Sequence, residues 1–131
     1  MQLHHKKLLV ALDILTALSK LKTGQTKPLK EIIKEKGLAT AYAEQVAFLL
    51  KNAQIIIATR GAYGGYCLKD KPTAINLWKI NEALRTAKKG ATKPHSKNQK
   101  LIAIENQITE QTKAQLQKIS LDCFLNEKSG A

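Results

Sequence analysis

A chain of 131 residues is long enough for one compact domain with an appended helix, and 44% apolar residues exclude wholesale disorder. Lysine and arginine number 22 against 10 acids, a formal net charge of +12 that predicts a polyanionic partner. Two widely spaced cysteines exclude a disulfide framework and a zinc ribbon, and no apolar run approaches the roughly 20 residues of a membrane span.

The positive charge is almost all lysine, since only Arg60 and Arg85 are arginine. Lysine attracts phosphate diffusely, whereas the flat fork of arginine suits a groove or a base edge. Met1 to Lys7 runs straight into an amphipathic pattern, which predicts no secretory leader and a reducing cytoplasm.

Residues 3–21 predict a first helix. Leu8, Leu12, Leu15 and Leu18 recur at helical spacing, and Leu9, Ile14 and Leu21 widen the apolar face. His4 and His5 stand beside Lys6 and Lys7. Adjacent helical residues diverge by about 100°, so phosphate contact or solvation is expected there rather than metal ligation. The loop KTGQTKP follows, punctuated by Gly24 and Pro28. Residues 29–36 predict a short second helix with Leu29, Ile32 and Ile33 facing inward and Gly37 as its stop. A third helix begins at Thr40, whose hydroxyl is a candidate N-cap. Two helices on a short glycine-containing turn form a helix-turn-helix or an ordinary helical corner.

In the third helix Ala43, Val46, Ala47 and Leu50 share one face. Tyr42, Glu44 and Gln45 fall largely off it, near the end that meets bases in this motif. Gln pairs with adenine, Glu accepts from cytosine and a Tyr hydroxyl binds phosphate. Glu44 beside a polyanion lowers affinity everywhere by repulsion, so it is either a specificity element or a solvated charge. Phe48 and Leu49 are more apolar than a free recognition helix needs, which predicts packing under the first helix or the hairpin.

The β-branched run Ile55-Ile56-Ile57 predicts a strand. Arg60-Gly61-Ala62-Tyr63-Gly64-Gly65 is a hairpin tip, closed by a return strand at Tyr66-Cys67-Leu68. Helix, strand, tight turn and strand is the order in which a winged helix-turn-helix meets DNA, helix in the major groove and hairpin on the flanking backbone or minor groove. Tyr63 at the tip is placed to stack or to bind phosphate. Asn76 starts a further helix with Leu77, Ile80 and Leu84 inward and Trp78 in the core.

Residues 86–100 carry five lysines and no acid and read as a linker or loop. From about Asn98 to Ile119 a long polar helix follows. Leu101, Ile104, Ile108, Leu116 and Ile119 form a narrow stripe that predicts pairing with another helix across a dimer. Ser120 is a candidate cap for a last turn whose Leu121, Phe124 and Leu125 fold back on the domain or on the partner. The expected division is a DNA-binding unit at 1–85, a basic linker at 86–97 and a dimerisation helix with C-terminal turn at 98–131. The expected fold class is mostly α with a small β-hairpin, an α+β arrangement.

These residues resemble the IscR/NsrR/CymR (Rrf-two) family of bacterial winged-helix regulators. The likeness covers residues 1–85 well and 98–127 loosely. It rests on LLVALDILTAL, on YAEQVAFLLKNA, which is similar to the family's Tyr-Leu-Glu-Gln recognition helix, and on TRGAYGGYCL, which is similar to the family's Arg-Gly-Pro/Ala-x-Gly-Gly-Tyr wing. The resemblance implies that Thr40, Tyr42, Glu44 and Gln45 contact the major groove. It implies that Arg60, Gly61, Gly64, Gly65 and Tyr66 form the wing and that the long helix builds a two-fold dimer. Cluster-binding members carry three closely spaced cysteines between wing and dimerisation helix, where this chain has no cysteine and only His95. No iron–sulfur cluster of the usual family type, and no other cofactor or metal, is expected. Cys67 and Cys123 are expected to be buried structural thiols, with redox sensing as the alternative.

The functional expectation is a homodimeric, sequence-specific repressor on a pseudo-palindromic operator in double-stranded DNA, answering to a small-molecule or protein effector. The alternative is a winged-helix protein that binds DNA or RNA without sequence preference. Neither paired carboxylates in a cleft, a nucleophile with its base, nor a phosphate loop supports an enzyme.

Overall fold

The structure, a computed structural model, describes residues 5–62, 64–85 and 98–125. Among these residues the elements are α1 (His5–Ser19), α2 (Leu29–Lys36), α3 (Thr40–Asn52), β1 (Ile56–Thr59), β2 (Gly65–Leu68), α4 (Leu77–Ala83) and α5 (Gln99–Gln117). Short 3-10 turns cover Pro72–Ala74 and Leu121–Phe124. This is the mostly helical arrangement with one antiparallel hairpin that the sequence predicts.

The core face of α1 is Ala11, Ile14, Leu15, Ala17 and Leu18. Leu8 and Leu12 only flank it, and Leu9 is 66% exposed, so the inward arc is narrower than the leucine spacing predicts. Leu9 lies about 200° around the axis from Ala11 and turns away from the core. Alanines on α1 and α3 let these two helices pack closely, since axial separation follows the side chains at the contact.

Helix α2 follows Pro28, whose fixed φ of −63° suits a helix start. Glu31 in its first turn and Lys34 and Lys36 in its last complement the helix dipole. Gly37 ends it in the left-handed region (φ 66°, ψ 40°), and the Leu38 N–H donates back to the Ile33 carbonyl at 3.1 Å. Helix α3 starts at Thr40 as predicted, but Thr40 is not its N-cap. The Ala39 carbonyl accepts the Ala43 N–H at 2.9 Å, which places Thr40 inside the first turn, with no side-chain cap at the helix start. At the other end Gln54 adopts φ 60°, and the N–H groups of Gln54 and Ile55 donate to the carbonyls of Lys51 and Leu50. That closure delivers Ile55 and Ile56, both 1% exposed, straight into the core.

The helix expected from Asn76 is α4, and Asn76 caps it, its side-chain oxygen accepting the Lys79 N–H at 2.8 Å. Leu77, Ile80 and Leu84 face inward. Trp78 does not enter the core. It is half-buried, with the Lys113 ammonium 5.4 Å from its ring centroid, so it joins α4 to α5 through a cation–π contact. Residues 119–121 return to the segment that opens α4. The Leu77 N–H donates to the Ile119 carbonyl at 2.8 Å and the Leu121 N–H to the Ile75 carbonyl at 2.7 Å. Leu121 is fully buried, whereas Phe124 is 39% exposed. The Ser120 hydroxyl hydrogen-bonds Asp122 instead of capping the last turn. The linker at 86–97, with His95, lies outside the described residues, as does His4.

Leu121→Ala is expected to lower stability by about 3 kcal/mol, as for a fully buried leucine. Urea unfolding measures this. A loss of under about 0.5 kcal/mol would show that the returning segment is no part of the core.

Candidate nucleic-acid interface

The wing is built on a four-residue register, Ile56↔Leu68, Ile57↔Cys67, Ala58↔Tyr66 and Thr59↔Gly65. Ile56, Tyr66 and Leu68 point to the core side, and Ile57 is 44% exposed on the other. The outer edge of β2 is not free. The Lys27 N–H donates to the Tyr66 carbonyl and the Tyr66 N–H to the Lys27 carbonyl, both at 2.9 Å. Residue 27 therefore acts as a one-residue third strand. The sequence pattern places it in a loop, although Pro28 biases the residue before it toward extended backbone.

Gly65 makes this contact possible. A Cβ there would stand 2.5 Å from the Lys27 carbonyl carbon and 2.7 Å from Pro28 N, closer than side-chain carbons pack. Gly64 is similarly confined, since a Cβ would lie 2.4 Å from the Thr59 oxygen. The Gly64 N–H closes the tip on the Gly61 carbonyl at 2.9 Å. Tyr63 lies outside the described residues. The Lys27 ammonium reaches both Glu35 carboxylate oxygens at 2.6 Å, linking the clip to α2. The hydrogen bond from Lys27 holds the Glu35 carboxyl below the ordinary glutamate range.

The two arginines differ in use. Arg85 pairs with Glu82 at 3.0 Å. Arg60 is exposed at the tip and makes no hydrogen bond or ion pair with any described residue.

On α3 the predicted inward residues Ala43, Val46, Ala47 and Leu50 are all buried. Thr40, Glu44 and Gln45 are exposed, and neither Glu44 nor Gln45 has a partner among the described residues. Tyr42 is set to one side, half-buried against the core with the Lys6 ammonium 5.6 Å from its ring centroid. Leu49 packs on the core, but Phe48, expected beneath the first helix or the hairpin, is 57% exposed. Lys30, Lys34, Lys51, Lys69 and Lys71 are also exposed.

The stripe on α5 divides. Leu101, Ile104 and Ile108 are exposed by half or more, whereas Leu116 and Ile119 pack against the chain's own core. Lys113, between the two groups, is where α5 meets Trp78 of α4. Cys67 is half-buried beside Ile57, and Cys123, expected to be buried, is exposed because its 3-10 turn buries Leu121 instead.

A helix-turn-helix carrying a short β wing is the architecture of winged-helix transcription regulators. The chain belongs to the Rrf2 family, whose model, described as "Iron-dependent Transcriptional regulator", matches residues 4–127. Over 56 residues it is 41% identical to the HTH-type transcriptional regulator CymR of Bacillus subtilis (strain 168), a stretch covering 43% of this chain and 41% of that protein's length. The structure of B. subtilis CymR, titled the global cysteine regulator, superposes with a TM-score of 0.72 at 26% identity over 95% of this chain and 97% of that one. Staphylococcus aureus CymR superposes with a TM-score of 0.68 at 25% identity, over 92% and 96%. The family and these relatives are transcriptional regulators rather than enzymes.

The family's iron-dependent description raises the question of a cluster. The whole chain has two cysteines, one on the wing and one in the last 3-10 turn. Among the described residues no three His, Cys, Asp or Glu side chains are grouped to hold a metal. Thiolate-ligated clusters take about four such donors. The donor set does not fit one, and no step is assigned to it.

Proposed function

We propose that this chain is a homodimeric, sequence-specific DNA-binding repressor acting in the cytoplasm. It would occlude a promoter by occupying a pseudo-palindromic site. The observation that carries the reading is the pairing of two features. The outward face of α3 holds Glu44 and Gln45 with no described partner, and the wing beside it holds Arg60, likewise without a partner among the described residues, on a clipped base. Thr40 and Tyr42 flank the same helix end, and Gly61, Gly64, Gly65 and Tyr66 shape the wing.

In this mechanism the exposed lysines supply affinity by displacing counterions from phosphates, with a steep salt dependence. Gln45 and Glu44 supply discrimination at base edges. Arg60 enters the flanking minor groove or grips the backbone there. Residues 1–85 would form the DNA-binding unit. Leu101, Ile104 and Ile108, at i, i+3 and i+7 on α5, would form the seam between two copies. The signal would reach the dimer through a small molecule, a partner protein or one of the thiols, Cys67 or Cys123.

The competing reading, sequence-indifferent binding, is favoured by the lysine excess alone. Selection from random duplexes, then comparison of the selected site with a scrambled one at fixed salt, separates the two. A selected site bound no better than the scramble would contradict the proposal. Arg60→Ala is expected to weaken binding to the selected site by at least about 1 kcal/mol, near fivefold. Unchanged affinity would remove the wing from the interface. In sedimentation the chain is expected as a dimer and Ile104→Glu as a monomer; a monomeric parent chain would contradict the seam.

A further inference from the structure

Among the described residues seven large apolar side chains are exposed, and Phe48 alone lies on α3. Its place on the helix is informative. At about 100° per residue, Phe48 falls between Glu44 and Gln45 around the axis, some 40° from the first and 60° from the second, one turn further along. It stands roughly 150° from the centre of the buried face formed by Ala43, Val46, Ala47 and Leu50. Ala41, Glu44, Gln45 and Phe48 thus occupy positions i, i+3, i+4 and i+7 of one outward stripe. A helix laid in the major groove presents that stripe to base edges, and the homeodomain recognition helix uses the same spacing.

We infer that Phe48 is a specificity-determining residue that contacts the C5-methyl group of a thymine. The inference rests on the DNA-binding reading above and deepens it. Where the groove takes in both turns of this stripe, Phe48 enters with Glu44 and Gln45, because it lies between them around the axis. The phenyl ring has no donor or acceptor. Against guanine, cytosine or adenine it would cover polar edge atoms without replacing their hydrogen bonds to water, which is unfavourable. The thymine methyl is the one apolar group that the major-groove edge offers, and aromatic contact with it is a recognised mode of discrimination. The net charge of +12 makes a polyanion the fitting occupant of this face rather than an apolar protein surface.

The test uses the selected operator duplex, with thymines replaced one at a time by deoxyuridine, which removes only the methyl. Wild-type protein is expected to lose about threefold to fivefold in affinity at one thymine per half-site, the effect of one buried methyl, and roughly tenfold to twentyfold when both half-sites are changed. Phe48→Ala is expected to bind thymine and deoxyuridine duplexes equally, and Phe48→Leu to keep part of the discrimination. Phe48 is exposed, so circular dichroism and urea unfolding of both variants should match wild type. Preference for the selected site without deoxyuridine sensitivity at any position would overturn the role of Phe48 and leave the function standing. So would sensitivity that persists in Phe48→Ala. No preference over a scrambled duplex would overturn both. Dissociation of the wild-type dimer by Phe48→Ala would assign the side chain to a protein contact instead.

Discussion

Two backbone hydrogen bonds between Lys27 and Tyr66 tie the hairpin to the segment that opens α2, and the arrangement of the outward-facing residues follows from that tie. An isolated two-stranded hairpin is marginal in water. Here the outer edge of β2 is satisfied by residue 27, and the inner face rests on the core through Ile56, Tyr66 and Leu68. The Lys27 side chain continues the connection to Glu35 on α2. The hairpin is thereby held against the helix-turn-helix at its base. Backbone must approach backbone to make that contact, which is why glycine stands at position 65.

Once the wing and α1 have covered one side of α3, the side that remains is polar near its N-terminus and carries Phe48 further along. The division of positive charge suits this geometry. Lysines spread over the surface act at a distance and depend on salt, whereas the arginine at the wing tip can act at a defined place. Arg85, spent on Glu82, has no such freedom. On the proposed reading, specificity falls to few side chains and affinity to many.

Much of this was legible in the sequence where local chemistry decides structure. Gly37 and Asn76 mark helix boundaries because left-handed backbone and an unsatisfied first turn each demand a narrow set of residues. The glycine cluster announced the wing for the same reason. What local pattern could not supply were contacts between distant segments. The return of Leu121 to Ile75, the pairing of Lys27 with Tyr66 and the division of the α5 stripe all depend on packing across the fold. Thr40 misled because a good capping residue was displaced by a carbonyl one position earlier. Trp78 misled because size suggests burial, whereas its ring serves a lysine on the neighbouring helix. On α3 the inward positions follow from periodicity, whereas the exposure of Phe48 depends on which distant segments pack beside that turn.

On the proposed reading, the clip at Gly65 holds Arg60 against the duplex. A double-mutant cycle of Gly65→Ala and Arg60→Ala, read as affinity for the selected operator, tests it most directly. If the clip positions Arg60, Gly65→Ala alone costs at least as much affinity as Arg60→Ala, and adding Arg60→Ala to it costs almost nothing more. Wild-type affinity in Gly65→Ala, or two losses that simply add, would contradict it.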